Sequence, residues 1–324
     1  MRTPFSILVL TLAVQMPAWA QEAAALGLKG QVHTVFTEEF TNEDGVHREP
    51  TGSSLDVYDH GGYQLELFRY EPDGSLWVHT VFDRKGPQVF RIQATGTAPF
   101  ESNTTQNVFD AEGHVVETDT YDANGVLVSK SSNNLVQKQG NSTIYERTET
   151  SANGSESTAE VSETTDPQTG ITHQVQTTNG KTDTDWVIQR NKDGTVEKDK
   201  IVYKDGSYNE RERKADGTTV EDRYFAPTKS HTYQKSDEQG HLTEVIEKSD
   251  SSYIRCTYSF DKDGLPTGQI NYDAAGNILD KSTVEYRDDS HGNWIEKKSI
   301  VWDTKSDPMH PKIIATSLRT INYY

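Results

Sequence analysis

Two acidic phrases could hold a divalent cation, Asp261-Lys262-Asp263-Gly264 and Asn191-Lys192-Asp193-Gly194. Calcium loops of the hand type begin this way, but they close with a bidentate Glu at the twelfth position, where this chain has Tyr272. Both phrases therefore read as turns, with a weak divalent site shared between adjacent acidic turns as the alternative. The ten histidines contain no pair at metal-ligand spacing, and His114, His241 and His291 stand beside turn glycines. Cys256 is the only cysteine; between Arg255 and Thr257 it reads as a small residue facing a sheet. Carboxylates are so abundant that a pair at glycosidase separation says nothing without a cleft and a perturbed pKa. There is no Gly-x-Ser-x-Gly elbow and no phosphate-cradling loop, so the sequence nominates no catalytic residue, no metal and no cofactor. The three sequons at Asn103, Asn141 and Asn153 arise easily in Ser/Thr-rich sequence. Among the aromatics, Trp77 and Trp186 differ from those beside turns. Trp77 falls on the strand face opposite Leu76 and Phe82, and Leu65 and Leu67 are expected on its own face one unit earlier. These three residues are the candidate binding patch, because exposed aromatics on a polar sheet stack on sugar rings. Packing inside a curled sheet is the plainer reading of the same residues.

The elements that must position these groups are written in the glycines. Gly62, Gly74 and Gly86 stand twelve apart, as do Gly113 and Gly125, Gly194 and Gly206, and Gly264 and Gly276. Many close an aromatic-Asp-x-x-Gly phrase, which is an internal repeat. Asp followed three residues later by Gly makes a turn in which the carboxylate binds backbone amides and Gly takes the left-handed conformation. The structural turn residues are accordingly Asp83 and Gly86, Asp110 and Gly113, Asp122 and Gly125, Asp261 and Gly264, and Asp273 and Gly276. In such a hairpin the residue two after the glycine faces the aromatic four before it. Aliphatic residues occupy the first position at Leu76, Val115, Leu127 and Ile278, and aromatics the second at Tyr70, Phe109, Tyr121 and Tyr272. Period-two alternation then puts Leu76, Val78, Thr80 and Phe82 on one face. The expected fold is all-β, an antiparallel meander of repeated hairpins forming an extended, twisted or spiralling sheet.

Composition and compartment agree with this. Residues 5–14 form a short apolar run after Arg2, and Ala18-Trp19-Ala20 matches a signal-peptidase site, so residues 1–20 are expected to be a signal peptide and residues 21–324 a single β-repeat array. The run is too short for a membrane span. The net charge of -18, with lysines interleaved, argues against a nucleic-acid partner. Hydrophobic content of 32% suits a long sheet that buries one stripe and wets the rest. Residues 131–185 are rich in Ser, Thr, Asn, Gln and Glu, yet the turn punctuation continues at Asn153-Gly154 and Asn179-Gly180. They read as a thin polar stretch of the same sheet.

The phrases YDANGVL at Tyr121 and YDAAGNIL at Tyr272, and more loosely YRDDSHGNW at Tyr286, resemble the YD repeats of RHS and teneurin-like proteins. Leu28-Lys29-Gly30-Gln31-Val32 and His291-Gly292-Asn293-Trp294 look like small exported YD-repeat proteins of bacteria. The resemblance touches most of residues 28–324. It implies spiralling β-sheets that wrap a cargo or present binding surfaces, some of them for carbohydrate. The usual Gly-Arg after the turn is missing, and no C-terminal toxin module follows, so cargo wrapping is not expected. The reading is a non-enzymatic exported scaffold or binding protein, periplasmic or extracellular, with a cell-envelope glycan or another surface protein as partner. Two alternatives stand beside it: an envelope hydrolase using paired carboxylates, and a subunit that self-associates through its sheet edges.

Overall fold

The computed structural model describes residues 23, 26, 28–42, 48–97, 102–305 and 310–324. The expected signal peptide at 1–20 lies outside them. Among the described residues, twenty-two strands follow one another. The first eight are β1 (Val32–Asn42), β2 (Glu49–Tyr58), β3 (Gln64–Tyr70), β4 (Leu76–Lys85), β5 (Gln88–Gly96), β6 (Asn103–Phe109), β7 (Val115–Asp122) and β8 (Leu127–Gln139). Next come β9 (Ser142–Ser151), β10 (Glu156–Thr165), β11 (Ile171–Thr178), β12 (Lys181–Arg190), β13 (Val196–Tyr203), β14 (Tyr208–Arg213) and β15 (Thr219–Phe225). The last are β16 (Ser230–Ser236), β17 (Leu242–Lys248), β18 (Tyr253–Phe260), β19 (Pro266–Tyr272), β20 (Ile278–Asp288), β21 (Trp294–Asp303) and β22 (His310–Tyr323). The polar stretch forms β9, β10 and β11 and parts of β8 and β12, paired in register like the rest.

Each strand pairs antiparallel with the next, and β1 pairs with β22 from Val32↔Tyr323 to Asn42↔Ile314. The meander therefore closes into a 22-stranded barrel, which corrects the expectation of an open, extended sheet. Closure gives the two terminal strands partners for their backbone groups, as an open sheet would not. It also removes the free edges on which self-association through terminal strands depended.

The turns show why these residues fold this way. At Asp110 the Gly113 amide donates to the Asp110 carbonyl (3.2 Å) and the Asp110 amide to the His114 carbonyl (3.0 Å). Asp110 Oδ1 accepts the amides of Glu112 and His114, each at 2.9 Å. Asp122, Asp261 and Asp273 each accept two amides in the same way. Where another residue opens the turn, the residue just before Gly supplies the acceptor, as Asp73, Asn153, Asp193, Asp205 and Asp216 do. Asp83 departs from the expectation. It lies inside β4, opposite Arg91 with side chains 3.8 Å apart, because Gly86-Pro87 forms a two-residue tip and the strand runs on to Lys85. Phe82 accordingly faces Ile92, whereas Tyr70↔Leu76, Phe109↔Val115, Tyr121↔Leu127 and Tyr272↔Ile278 pair across their turns as the spacing requires.

Paired residues share a face, so the register can be followed round the barrel. Val35, Val78, Ala94, Ala159, Val161, Thr172, Ile188 and Cys256 are buried and fall on one face; Thr316 is buried on the other. The inner face of a closed sheet is the concave one, where side chains crowd, so the first face lines the lumen. With strands about 4.8 Å apart and tilted by about 40°, a circular barrel of this strand number has a backbone radius of about 22 Å. The best-packed cluster sits where the chain ends meet: Ala23, Leu28, Val32, Val35 and Tyr58, with Ile321 and Tyr323 against them.

Candidate functional site

The strand register separates the residues of the expected patch. Leu67 pairs with Thr80, on the lumenal face of Val78 and Phe82, whereas Trp77 is one position out of step and faces outward. A bulge next to Tyr70 sets Leu76 opposite that tyrosine and leaves it 41% exposed, off the Val78 stripe. Trp77, Leu65 and Leu67 are all half-buried. Trp77 instead shares the outer wall with Phe68, Tyr70 and His79, the ring of Phe68 stacking on His79 at 4.1 Å and on Tyr70 at 6.5 Å. Glu66 lies 2.8 Å from His79 Nε2 and fixes that ring. Trp186 faces the lumen beside buried Ile188, and its indole nitrogen is buried without a hydrogen-bond partner.

A larger outward group, which the sequence did not single out, spans β13 to β16. The Tyr208 hydroxyl donates to Asp222 Oδ2 at 2.9 Å, and the other oxygen of Asp222 lies 3.4 Å from His231 Nδ1. Burial, helped by the hydrogen bond to Asp222, pushes the Tyr208 pKa up to about 12, so the phenol stays a donor. Tyr224 is set between Tyr208 (5.6 Å) and His231 (4.7 Å), and Lys200 Nζ rests 4.6 Å over the Tyr208 ring. Its members lie on strands joined by turns of different length, so their sequence separations are irregular and carry no signal.

Around this wall the carboxylates are engaged. Glu210 binds both Lys198 (2.7 Å) and Lys200 (2.8 Å), and these cations hold its pKa down. Asp261 is occupied by turn amides and Asp263 by Lys262. Asp110, Glu112 and His114 bring three ligand-type groups together at one turn tip, all exposed. Asp56, on the lumenal face, is the carboxyl among the described residues whose pKa is raised, by burial. Its neighbours are Gln64 (2.6 Å), Arg319 and Arg69 rather than the second carboxylate a glycosidase pair needs. Cys256 is buried and unpaired, and burial pushes its thiol pKa up, away from the reactive thiolate. No helix among the described residues is long and apolar enough to cross a membrane.

No protein-family model and no curated protein matches the chain. Among solved structures it is similar to a porin-like protein from Bacteroides uniformis, at 10% identity and a TM-score of 0.33, over 91% of this chain and 99% of that one. It is also similar to the Photorhabdus luminescens Tc holotoxin pore, at 11% identity and a TM-score of 0.16, over 78% of this chain and 18% of that one.

Proposed function

We propose that the chain is an exported, non-catalytic binding scaffold of the YD-repeat type, a water-exposed β-barrel that presents its outer wall to a cell-envelope glycan. One observation carries the reading: the outward wall mixes aromatic rings with mid-strand charges. Glu66, Glu146, Asp185, Lys200 and Glu210 all face outward near the middle of their strands. Each basic side chain on a lipid-facing wall would cost about 2–4 kcal/mol at the bilayer midplane, so this wall is built for water. Rings such as Phe68, Tyr70 and Trp77 in that wall are the kind of surface on which sugars stack. Two experiments test the two halves. In flotation with liposomes the protein should stay in the aqueous fraction; recovery with the vesicles would defeat the water-exposed barrel. On a glycan array it should retain envelope-type oligosaccharides, and an array with no binding would remove glycan as the ligand.

A further inference from the structure

Resting on the reading of the chain as a binding scaffold, we infer that the outward row Tyr208, Tyr224, His231, Lys248 and Tyr253 is a docking strip for an uncharged oligosaccharide. The register makes the row. Tyr208 pairs with Tyr224, Tyr224 with His231, His231 with Lys248, and Lys248 with Tyr253, so five successive strands each contribute one side chain to a line across the wall. At about 4.8 Å per strand the line is about 19 Å long, suited to several linked rings rather than one.

The strip is arranged before any ligand arrives. Tyr208 is fixed by Asp222 and Lys200, and the planes of Tyr208 and Tyr224, and of Tyr224 and His231, are tilted by 35° and 38°. Rings already held in place lose less freedom on binding. Their faces are partly open; the His231 side chain is 45% exposed. A second row lies directly alongside, Glu210, Asp222, Tyr233, Ile246 and Arg255, again paired strand to strand. Its charged members are already paired, Glu210 with Lys198 and Lys200, Asp222 with Tyr208 and His231, and Arg255 with Glu244, and so stand fixed at the edge of the aromatic line as acceptors and donors with further lone pairs and N–H groups. Aromatic faces beside mixed acceptors and donors match a sugar, whose ring carries C–H groups on its face and hydroxyls on its rim. Charge decides between kinds of sugar. The two rows hold both signs, Glu210 and Asp222 against Lys248 and Arg255, on a chain of net charge -18. A polyanion, whether acidic polysaccharide or single-stranded nucleic acid, meets paired charges of both signs here and is repelled by the chain as a whole.

The test uses the full mature chain on an array carrying neutral, acidic and aminated oligosaccharides of several lengths, followed by titration of the best ligand. Binding should favour neutral chains and strengthen with length. Tyr224→Ala should weaken the best neutral ligand at least tenfold, while Tyr224→Phe, which keeps the ring, binds like the wild type. Tyr253→Ala, at the end of the strip, should weaken long oligosaccharides and leave the shortest binders unchanged, a length dependence that general loss of structure cannot produce. A neutral ligand bound equally by wild type, Tyr224→Ala and Tyr253→Ala would overturn the strip and leave the glycan-binding scaffold standing. Preference for acidic or aminated glycans would overturn the strip alone, and absence of all binding would overturn both the strip and glycan recognition.

Discussion

Most of the glycine-closed turns among the described residues have an Asp or Asn oxygen set against backbone amides, and that local bond explains both the repeat and its sensitivity to substitution. Gly125 has φ +76 with open space where a Cβ would be, so Gly125→Ala meets only backbone strain and should destabilise by about 1 kcal/mol in urea unfolding. A neutral result would mean that the turn does not need the left-handed residue. The same turns set an acid response. The amide of Val126 holds the Asp122 carboxyl below its ordinary value of 3.8, the amide of His114 does so for Asp110, and the Asn277 side chain for Asp273. A carboxylate whose folded pKa is depressed contributes stability that is fully present above the unfolded value and is lost as pH falls through the folded one. Melting temperature should therefore hold steady from neutral pH to about 4 and fall below it. Asp122→Asn keeps an acceptor for the amides while abolishing proton uptake at that turn, so it should flatten the acid slope. A slope as steep as the wild type's would assign the response to other groups.

Between elements, hairpins are coupled by contacts from one turn to the turn two strands away. His241 follows the glycine of its own turn, binds Asp237 through Nδ1 (2.9 Å), stacks on Phe260 at 4.8 Å, and lies under Gly264. A Cβ on Gly264 would sit 2.5 Å from His241 Nε2, and the ring is held on two sides, so it cannot simply swing away. Gly264→Ala should thus cost more than Gly125→Ala, and His241→Ala should relieve the excess. A double-mutant cycle should give a coupling within the range of about 0.5–3 kcal/mol usual for contacting residues, and additive effects would show the two turns to be independent. The contrast between what was legible and what was not lies at this scale. Tyr121 opposite Leu127 and Tyr272 opposite Ile278 follow from turn chemistry within seven residues of sequence. Asp83 escaped the rule because Pro87 moved the tip. Leu67 and Trp77 were separated by the register of β3 on β4, in a pairing whose bulge beside Tyr70 also displaced Leu76. The Tyr208 to Tyr253 row is assembled sideways across strands, where no sequence period exists.

At the scale of the whole molecule, closure was the part hidden from the sequence, since the pairing of β1 with β22 is made by backbone groups that every strand offers equally. What distinguishes the seam is specific. Asn293, only 2% exposed, accepts the Lys29 amide at 2.6 Å and donates to the Lys29 carbonyl at 2.8 Å and to the Tyr323 hydroxyl at 2.7 Å. Tyr323 donates on to Asp289 at 2.5 Å, His291 stacks on Tyr323 at 4.0 Å, and the Tyr324 hydroxyl donates to the Tyr58 carbonyl. Asn293→Ala would strand the Lys29 backbone and should destabilise by about 1–3 kcal/mol, the usual penalty for buried groups left unpaired. Deleting Tyr323 and Tyr324 as well should let the seam part. Small-angle scattering then reads the difference. A closed ring of strands with a radius of about 22 Å has a radius of gyration near 23 Å, against about 20 Å for a compact globule of equal length. An open sheet of the same strands, about 105 Å across, would give about 30 Å. The intact chain should fall at the middle value with a hollow profile, and the truncated Asn293→Ala variant should move toward the largest. An intact chain already near 30 Å would show that the two ends do not pair in solution, and one near 20 Å that the barrel collapses on its lumen.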